Sequence, residues 1–336
     1  MFATSEGTAR YRDRFAAFRD AGFYRTVRSP DLALEVSSLG IGTYLGNVDD
    51  ATDRAYTDAL IAAGEGGINF FDSAINYRQQ RSERCIGAAL KQMQRDEVVV
   101  CTKAGFLTPG AFPDSLRRED VVGGMHCIAP DFLADQIDRS RANLGVDTID
   151  VFYLHNPETQ LGFVDRAEFD GRIRRAFAHL ERLAGEGKIR WYGAATWEGF
   201  RKKGALSLER LAEIAGEEGG PEHHFRFIQL PFNLNMVEAF VERPESVLEA
   251  SARLGIAAVA SATLLQTQVP AHMPDKAAQL FPGLATDAQR AIQFTRSTPG
   301  ISVALVGMSR REHVVENLGV ASVLPAARED YVRLYQ

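Results

Sequence analysis

The feature that most constrains the fold of this chain is a repeated alternation of short apolar segments with longer segments of helical periodicity. The apolar segments, such as Val-Val-Val-Cys-Thr-Lys at 98–103, are hydrophobic almost throughout instead of alternating in polarity. Strands that helices cover on both faces have this composition, which is typical of parallel sheets. Eight strands are predicted, at residues 36–45, 68–73, 98–103, 149–155, 189–196, 227–232, 256–261 and 302–308.

Eight helical patterns follow these strands, and the strand–helix repeat favours a closed (β/α)8 TIM barrel over an open doubly wound sheet. A doubly wound dinucleotide fold would also need GxGxxG after its first strand, where this chain has only Gly40-Ile-Gly42. We predict an α/β barrel over residues 23–336, with residues 23–36 as a hairpin at its bottom, and a helical extension at 1–22. The helical patterns lie at residues 51–64, 82–93, 131–144, 168–184, 206–217, 245–253, 286–297 and 310–320.

Three connections, at residues 104–130, 156–167 and 262–285, are longer than the usual short loops of compact domains. They follow the third, fourth and seventh predicted strands, at the end of the barrel where enzymes of this architecture place their active sites. We predict that these long loops lie on the C-terminal rim and cover a substrate or a cofactor. Surface insertions without a role are the alternative.

The composition excludes several classes of function. The net charge of −6 gives no basic surface for nucleic acid or an anionic membrane. Three cysteines without a CxxC pair argue against a disulfide framework and a zinc site. The first 22 residues contain charges throughout and lack the apolar core of a signal peptide. We therefore expect a cytoplasmic protein with a small-molecule substrate, no metal and no nucleic-acid or membrane partner.

Polar side chains end three consecutive predicted strands: Asp72 the second, Lys103 the third and His155 the fourth. Tyr77 lies five residues after Asp72, on the way into the second helix. In a parallel barrel the carboxyl ends of the strands meet on one rim, so these four side chains should converge. Each alone has a structural explanation, as a helix cap, a core histidine or a solvent-facing lysine. Four on consecutive units favour a shared site.

Three of these segments resemble the motifs around the catalytic tetrad of the aldo-keto reductases. They are Gly-Ile-Asn-Phe-Phe-Asp-Ser-Ala-Ile-Asn-Tyr at 67–77, Cys-Thr-Lys-Ala-Gly at 101–105 and Tyr-Leu-His-Asn-Pro at 153–157. Residues 39–44 and 187–193 are similar to the family's first and fifth strands. The resemblance extends over about residues 23–320 and implies a nicotinamide-dependent oxidoreductase.

The resemblance implies a role for each of the four side chains. Tyr77 would be the proton donor, Lys103 and Asp72 would tune it, and His155 would orient the substrate carbonyl. A free tyrosine has a pKa of ~10, and an adjacent ammonium favours the phenolate and lowers that value. The hydride itself would come from the cofactor.

The segment Gly-Met-Ser-Arg-Arg-Glu-His-Val-Val-Glu-Asn at 307–317 resembles the part of the family that holds the adenosine phosphate. Helix N-termini favour anions, so Ser309 with Arg310 or Arg311 would hold a 2′-phosphate, which favours NADP over NAD. The alternative is that Ser309 caps the helix and the arginines are surface charges. By the same resemblance, Gly307 would contact the nucleotide, and Glu316 with Asn317 would face the adenine.

The nicotinamide end departs from the family. Ala195-Thr196 replaces a Ser-Asn pair that hydrogen-bonds the carboxamide, while Gln229 retains the third carboxamide contact. Ser261-Ala262-Thr263-Leu264 replaces an aromatic residue followed by Ser-Pro-Leu, so the stacking ring is absent. Losing such contacts typically costs about 1 kcal/mol each. The remaining residues expected to contact the cofactor are Thr43, Asp72, Ser261 and Leu264.

Aromatic side chains match positions near the family's substrate pocket. We expect Tyr44, Phe106 and Trp197 to bind the substrate together with His155, and His126 and Phe232 are further candidates for the lining. A packing role remains the alternative for each aromatic residue.

The sequence predicts an NADP-dependent oxidoreductase, with NAD as an alternative, acting on an aldehyde, a ketone or a sugar-like hydroxyl. Two other functions remain open: a nucleotide-binding regulatory or sensor barrel with weak or no turnover, and an isomerase or lyase that retains the cofactor.

Overall fold

The fold is a closed barrel of eight parallel strands, seen in a computed structural model that describes residues 1–29, 32–265 and 278–335. Two antiparallel strands precede the barrel strands in the chain. The strands are β1 (Tyr24–Ser29), β2 (Leu32–Ser37), β3 (Leu39–Gly42), β4 (Phe70–Asp72), β5 (Val99–Ala104), β6 (Ile149–His155), β7 (Ile189–Ala195), β8 (Phe225–Pro231), β9 (Ala257–Ser261) and β10 (Ile301–Gly307).

The barrel strands pair in chain order from β3 to β9, and β10 closes the ring by pairing with both β9 and β3. All eight predicted strands are present, and the predicted TIM barrel is confirmed. The first strand is shorter than the predicted 36–45, because Val36 and Ser37 belong to β2 and pair with Arg25 and Tyr24 of β1.

Helices cover the outside of the barrel, and most lie within a few residues of their predicted positions. They are α1 (Ser5–Arg14), α2 (Ala16–Asp20), α3 (Asp50–Glu65), α4 (Arg81–Leu90), α5 (Pro130–Leu144), α6 (Arg166–Gly185), α7 (Leu208–Gly219), α8 (Glu238–Val241), α9 (Val247–Arg253), α10 (Asp287–Ser297), α11 (Arg311–Asn317) and α12 (Arg328–Val332). The helix predicted at 310–320 ends at Asn317, and a 3-10 turn continues to Ser322.

The hairpin of β1 and β2 closes the bottom of the barrel, as predicted. Its Val27, Leu34 and Val36 pack in one apolar cluster with side chains from inside the barrel, including Phe70 and Val99. This plug fills the N-terminal end, so the open end of the barrel is the rim at the carboxyl ends of the strands.

The extension at 1–22 is tied to the barrel by polar contacts. The Tyr11 hydroxyl donates to the carbonyl of Gly64 at 2.5 Å and lies 3.1 Å from the carbonyl oxygen of Ile68, and Arg14 pairs with the buried Glu97 at 2.6 Å. The backbone N–H of Ala3 donates to Asp150 at 2.8 Å. We propose that this extension and the barrel at 23–336 are the two units of the chain.

The three long loops on the rim follow β5, β6 and β9. The loop after β5 folds back on itself, because Phe106 and Val122 both form antiparallel bridges with His126. Part of the predicted 262–285 loop, residues 266–277, lies outside the described residues. No helix in the described ranges is long and apolar enough to cross a membrane.

Candidate active site

A cavity of about 530 Å³ opens at the C-terminal rim of the barrel. Its walls come from the ends of strands on opposite sides of the ring, so residues far apart in sequence share one space. The predicted site residues in its lining are Thr43, Tyr44, Asp72, Tyr77, Phe106, His155, Ala195, Thr196, Trp197, Gln229, Ser261, Leu264 and Gly307.

An ion pair lies at the floor of this cavity. The Lys103 ammonium donates to Oδ1 of Asp72 at 2.5 Å and to the carbonyl oxygen of Ser73 at 2.7 Å. Lys103 is 0% exposed, so it lies beneath the lining. The pair forms because β4 and β5 are neighbours in register, with Asp72 opposite Cys101. Burial opposes charge on both groups, but the Asp72 carboxylate keeps the pKa of Lys103 raised.

Gln229, predicted to contact the nicotinamide carboxamide, also supports Asp72. Its side-chain amide lines the cavity, but Nε2 donates to Oδ2 of Asp72 at 2.9 Å across the barrel. Asp72 therefore has a partner on each carboxylate oxygen. Thr43 also supports this strand end, because its hydroxyl donates to the carbonyl of Asp72 at 3.1 Å.

Tyr77 lies above the ion pair, with the Lys103 Nζ 5.2 Å from the centre of its ring. The sequence predicted that the Lys103 ammonium would lower the pKa of Tyr77, but the pKa is raised because burial outweighs the ammonium. Burial penalises the phenolate and raises the pKa above its usual value, while the ammonium acts in the expected direction without prevailing. Tyr77 is therefore a protonated phenol at neutral pH.

His155 stands beside Tyr77 in an aromatic setting. Its ring is nearly perpendicular to the rings of Tyr77, at 5.7 Å and 76°, and of Phe106, at 5.1 Å and 88°. Burial, with the nearby Lys103 charge, holds the pKa of His155 well below its usual value, so the imidazole is neutral. Its buried Nδ1 has no hydrogen-bond partner within residues 1–29, 32–265 and 278–335.

Aromatic side chains form the mouth of the cavity. Tyr44 lies 4.9 Å from the Tyr77 ring and is 55% exposed, and Trp197 is 43% exposed. The suggestion that His126 and Phe232 line the cavity is wrong: both are 0% exposed and lie behind the lining. They are covered because the rim loops and α10 pack over them, with Phe232 stacked 6.1 Å from Phe294.

The opposite wall, formed by the ends of β9 and β10, offers fewer fixed polar contacts. Ser261 and Leu264 line it, and the Thr263 hydroxyl is buried without a partner in the part of the chain that the structure describes. A methyl group added to Gly307 would meet nothing within 4 Å, so this strand end is open to a ligand. Ala195 lines the cavity without a side-chain hydrogen-bonding group.

Apart from Gly307, the segment predicted to hold the adenosine phosphate lies beyond the cavity lining. Arg310 contacts His313 at 2.7 Å, and Arg311 lies 3.8 Å from Glu65 with more than half of its side chain exposed. The alternative that Ser309 caps the helix is wrong, because Arg310 occupies the N-cap position of α11. Asn317 is 5% exposed, and the backbone carbonyl of Glu316 accepts a hydrogen bond from Gln289 at 2.6 Å.

The fold and this constellation agree with a comparison to protein families. The sequence model of the aldo/keto reductase family matches residues 38–279. This chain belongs to the aldo/keto reductase family. Among solved structures, an aldo/keto reductase from Klebsiella pneumoniae in complex with NADP and acetate has a TM-score of 0.67 at 20% identity, over 92% of this chain and 95% of that one. At that identity the likeness concerns the fold.

Two curated relatives match about half of this chain. D-threo-aldose 1-dehydrogenase of Pseudomonas sp is 34% identical over 178 residues, covering 48% of this chain and 50% of that protein. NADH-specific methylglyoxal reductase of Escherichia coli is 30% identical over 169 residues, covering 48% of this chain and 49% of that protein. The chain thus spans about half the length of these two relatives in its matches.

Glu158 supports the site, although no pattern in the sequence predicted this role. Oε1 of Glu158 accepts hydrogen bonds from three successive backbone N–H groups, of Trp197 at 2.8 Å, Glu198 at 3.0 Å and Gly199 at 3.2 Å. The carboxylate therefore holds the turn that presents Trp197 to the cavity. A glutamate in a polar loop, 39 residues from its partner, gives no periodicity or motif by which to predict this contact.

Within the described ranges there is no group of three or more His, Cys, Asp or Glu side chains that could hold a metal ion.

Proposed function

We propose that this protein is an NADP(H)-dependent oxidoreductase that interconverts a carbonyl compound and an alcohol, with NAD(H) as the alternative cofactor. The observation that carries the proposal is the buried Asp72–Lys103 ion pair directly beneath Tyr77, with neutral His155 beside it at one cavity. Preorganised groups of this kind act on a carbonyl oxygen whose charge changes during reaction.

The cavity fits a nicotinamide nucleotide. Two buried polar atoms in its lining, Nδ1 of His155 and the Thr263 hydroxyl, lack partners among residues whose positions are described, and the wall at Gly307 is open. Thr196 and Ser261 would hold the nicotinamide end, and the exposed Arg310 and Arg311 would pair with a 2′-phosphate. When bound, this cofactor supplies or accepts the hydride.

Tyr77 acts as the general acid for reduction in this proposal. A raised pKa keeps its proton in place at neutral pH until a carbonyl oxygen takes it. The phenolate that remains is stabilised by the Lys103 ammonium, whose charge Asp72 maintains. In the oxidative direction the same phenolate removes the proton from the alcohol.

His155 orients the carbonyl in this proposal. Because its pKa lies well below neutrality, it offers an N–H as a hydrogen-bond donor without competing with Tyr77 as an acid. The aromatic mouth formed by Tyr44, Phe106 and Trp197 suits the apolar face of an aldehyde, a ketone or a sugar-like molecule.

Binding and turnover test this proposal in two steps. Fluorescence titration with NADPH and NADH should show saturable binding, tighter for NADPH. NADPH oxidation should then be observed with members of a panel of aldehydes, quinones and keto-sugars. Binding without turnover over the whole panel would favour a nucleotide-binding regulatory barrel, and absence of binding to either nucleotide would refute the proposal.

A further inference from the structure

A fully buried histidine lies directly behind His155. His126, in the rim loop after β5, is 0% exposed, and its Nε2 lies 2.8 Å from the backbone carbonyl oxygen of His155. A carbonyl oxygen only accepts hydrogen bonds, so Nε2 of His126 must be the protonated nitrogen. The hydrogen bond ties the rim loop to the end of β6.

A chain of hydrogen bonds sets the same tautomer from the other side. Nδ1 of His126 lies 2.8 Å from Nε2 of Gln160, and Oε1 of Gln160 accepts from Arg172 at 2.7 Å. A guanidinium only donates, so it turns the amide oxygen of Gln160 toward itself and the amide N–H groups toward His126. Nδ1 of His126 must then accept, and the order of donors leads from Arg172 to the His155 carbonyl.

The close approach at this bond also explains a glycine. A methyl group added to Gly105 would lie 2.5 Å from the His155 carbonyl oxygen and 2.8 Å from Nε2 of His126. Both distances are too short for a carbon atom, so residue 105 must be glycine for the hydrogen bond to form.

The bond to the backbone matters because no hydrogen bond from the described residues holds the imidazole of His155 itself. Its Nδ1 lacks a hydrogen-bond partner in the described portion of the chain, so packing and the backbone set the direction of the ring. The packing comes from Tyr77 and from Phe106, and the Phe106 ring is nearly perpendicular to His155 at 5.1 Å and to His126 at 5.1 Å. Phe106 and His126 also pair as an antiparallel bridge.

We propose that His126 is a positioning residue, which holds both the backbone of His155 and the Phe106 ring so that the His155 imidazole stays directed into the cavity. Gln160 and Arg172 support it by fixing the tautomer in which it donates. This inference rests on the proposed function for its kinetic consequence, but the tautomer of His126 can be measured without any turnover.

The kinetic test compares two substitutions of His126. His126→Phe keeps a ring of similar size and removes both hydrogen bonds, so kcat should fall by up to about 10²-fold, as expected for a misplaced reacting group, while the Kd for NADPH stays unchanged. His126→Gln places an amide N–H near the position of Nε2 and should recover most of kcat. His179→Phe, the same exchange on the outer helix α6, should leave kcat unchanged.

The structural test is the ¹⁵N NMR spectrum of the histidine-labelled full chain. At neutral pH, His126 should be protonated at Nε2 and unprotonated at Nδ1. Arg172→Met should allow the Gln160 amide to turn, so that both tautomers of His126 are populated, and should reduce kcat by less than His126→Phe does. Because Arg172 is partly exposed, this variant can replace His126→Phe if the latter fails to fold. The Nδ1-protonated form in the wild type, or unchanged kcat in a folded His126→Phe or Arg172→Met variant, would overturn the inference.

The two proposals fail in different ways. If none of the carbonyl compounds in the panel supports NADPH oxidation by the wild type, the proposed oxidoreductase function fails. The tautomer of His126 still tests the arrangement around that residue. If the wild type turns over and folded His126→Phe matches it, only the positioning role is lost.

Discussion

The two sides of the cavity differ in how completely the protein prepares them. On the wall that we propose to be catalytic, called the catalytic wall here (Asp72, Tyr77, Lys103 and His155), Asp72 has a partner on each carboxylate oxygen and the ion pair is buried. On the wall that we propose to hold the cofactor, called the cofactor wall here (Ser261, Leu264, Gly307 and the segment 309–317), the arginines are largely exposed and one wall position is open. If the proposed function is correct, preorganisation is concentrated where charge would change during reaction, and the other wall has fewer fixed polar contacts.

The largest effect on activity is expected at the catalytic wall, from removal of the hydroxyl oxygen of Tyr77. Tyr77→Phe should lower kcat by about 10²–10⁴-fold, because well-placed acid catalysis contributes this much. The Kd for NADPH should stay within a few-fold of the wild type, since Tyr77 is not part of the cofactor wall. Steady-state kinetics and fluorescence titration measure the two effects separately.

Tyr44→Phe is the matched control, because it removes the same atom from a neighbouring, more exposed tyrosine of the same cavity. It should change kcat by less than about 10-fold, as a single uncharged hydrogen bond contributes only ~0.5–1.5 kcal/mol. Equal losses in the two variants would remove the distinction between Tyr77 and the cavity mouth.

The second effect concerns stability. Lys103→Met leaves the buried Asp72 carboxylate without a counter-charge and with a hydrogen bond from Gln229, so the free energy of unfolding should fall by about 3–5 kcal/mol in urea titrations. The double variant Asp72→Asn/Lys103→Met has no uncompensated charge and should regain part of this loss. A single variant as stable as the wild type would show that the ion pair does not organise this wall.

The third effect is a pH dependence of stability from the residue behind the catalytic wall. Burial lowers the pKa of His126 to about 4, whereas an exposed histidine titrates near ~6.5. Between these values the unfolded chain binds a proton that the folded protein does not, so stability falls as pH drops from about 6.5 to about 4. The contribution of His126 should be about 3 kcal/mol, and the slope should be shallower in His126→Phe.

Burial also lowers the pKa of His223 to about 4, and its contribution to the slope remains in that variant. Urea titrations at several pH values measure the difference. Parallel pH profiles for the wild type and His126→Phe would contradict the burial of a neutral imidazole at 126.

The smallest effect on the apo protein is expected at the cofactor wall. Arg311→Ala should leave the free energy of unfolding nearly unchanged, because its pairing with Glu65 is exposed. It should weaken NADPH binding by about 10-fold or more, as expected for a lost charge-assisted hydrogen bond, and leave NADH binding unchanged. Arg182→Ala, which removes another exposed, ion-paired arginine, should alter neither affinity.

The catalytic wall was the part of the site that could be placed from the sequence. Asp72, Lys103 and His155 end consecutive apolar strands, and a parallel barrel brings such ends together on one rim. The strand pattern therefore placed the barrel and these side chains. It could not give the direction of the pKa shift of Tyr77, because that depends on how deeply neighbouring side chains bury the phenol.

Contacts made by loops were beyond prediction for a related reason. Glu158 and His126 act on residues 39 and 29 positions away, and no periodicity connects the partners. Gln229 was expected to contact the nicotinamide, but the curvature of the closed barrel also brings it within 2.9 Å of Asp72. The start of the first barrel strand was misplaced because residues 36 and 37 have the same apolar or small character whether they belong to the hairpin or to the barrel.

The most direct measurement of the central claim is a crystal structure of the protein with NADP⁺ and a carbonyl-containing substrate analogue. We predict that the analogue occupies the cavity with its carbonyl oxygen within hydrogen-bond distance of both the Tyr77 hydroxyl and the His155 imidazole, next to the nicotinamide. A nucleotide bound outside this cavity, or a carbonyl oxygen that contacts neither side chain, would contradict the account.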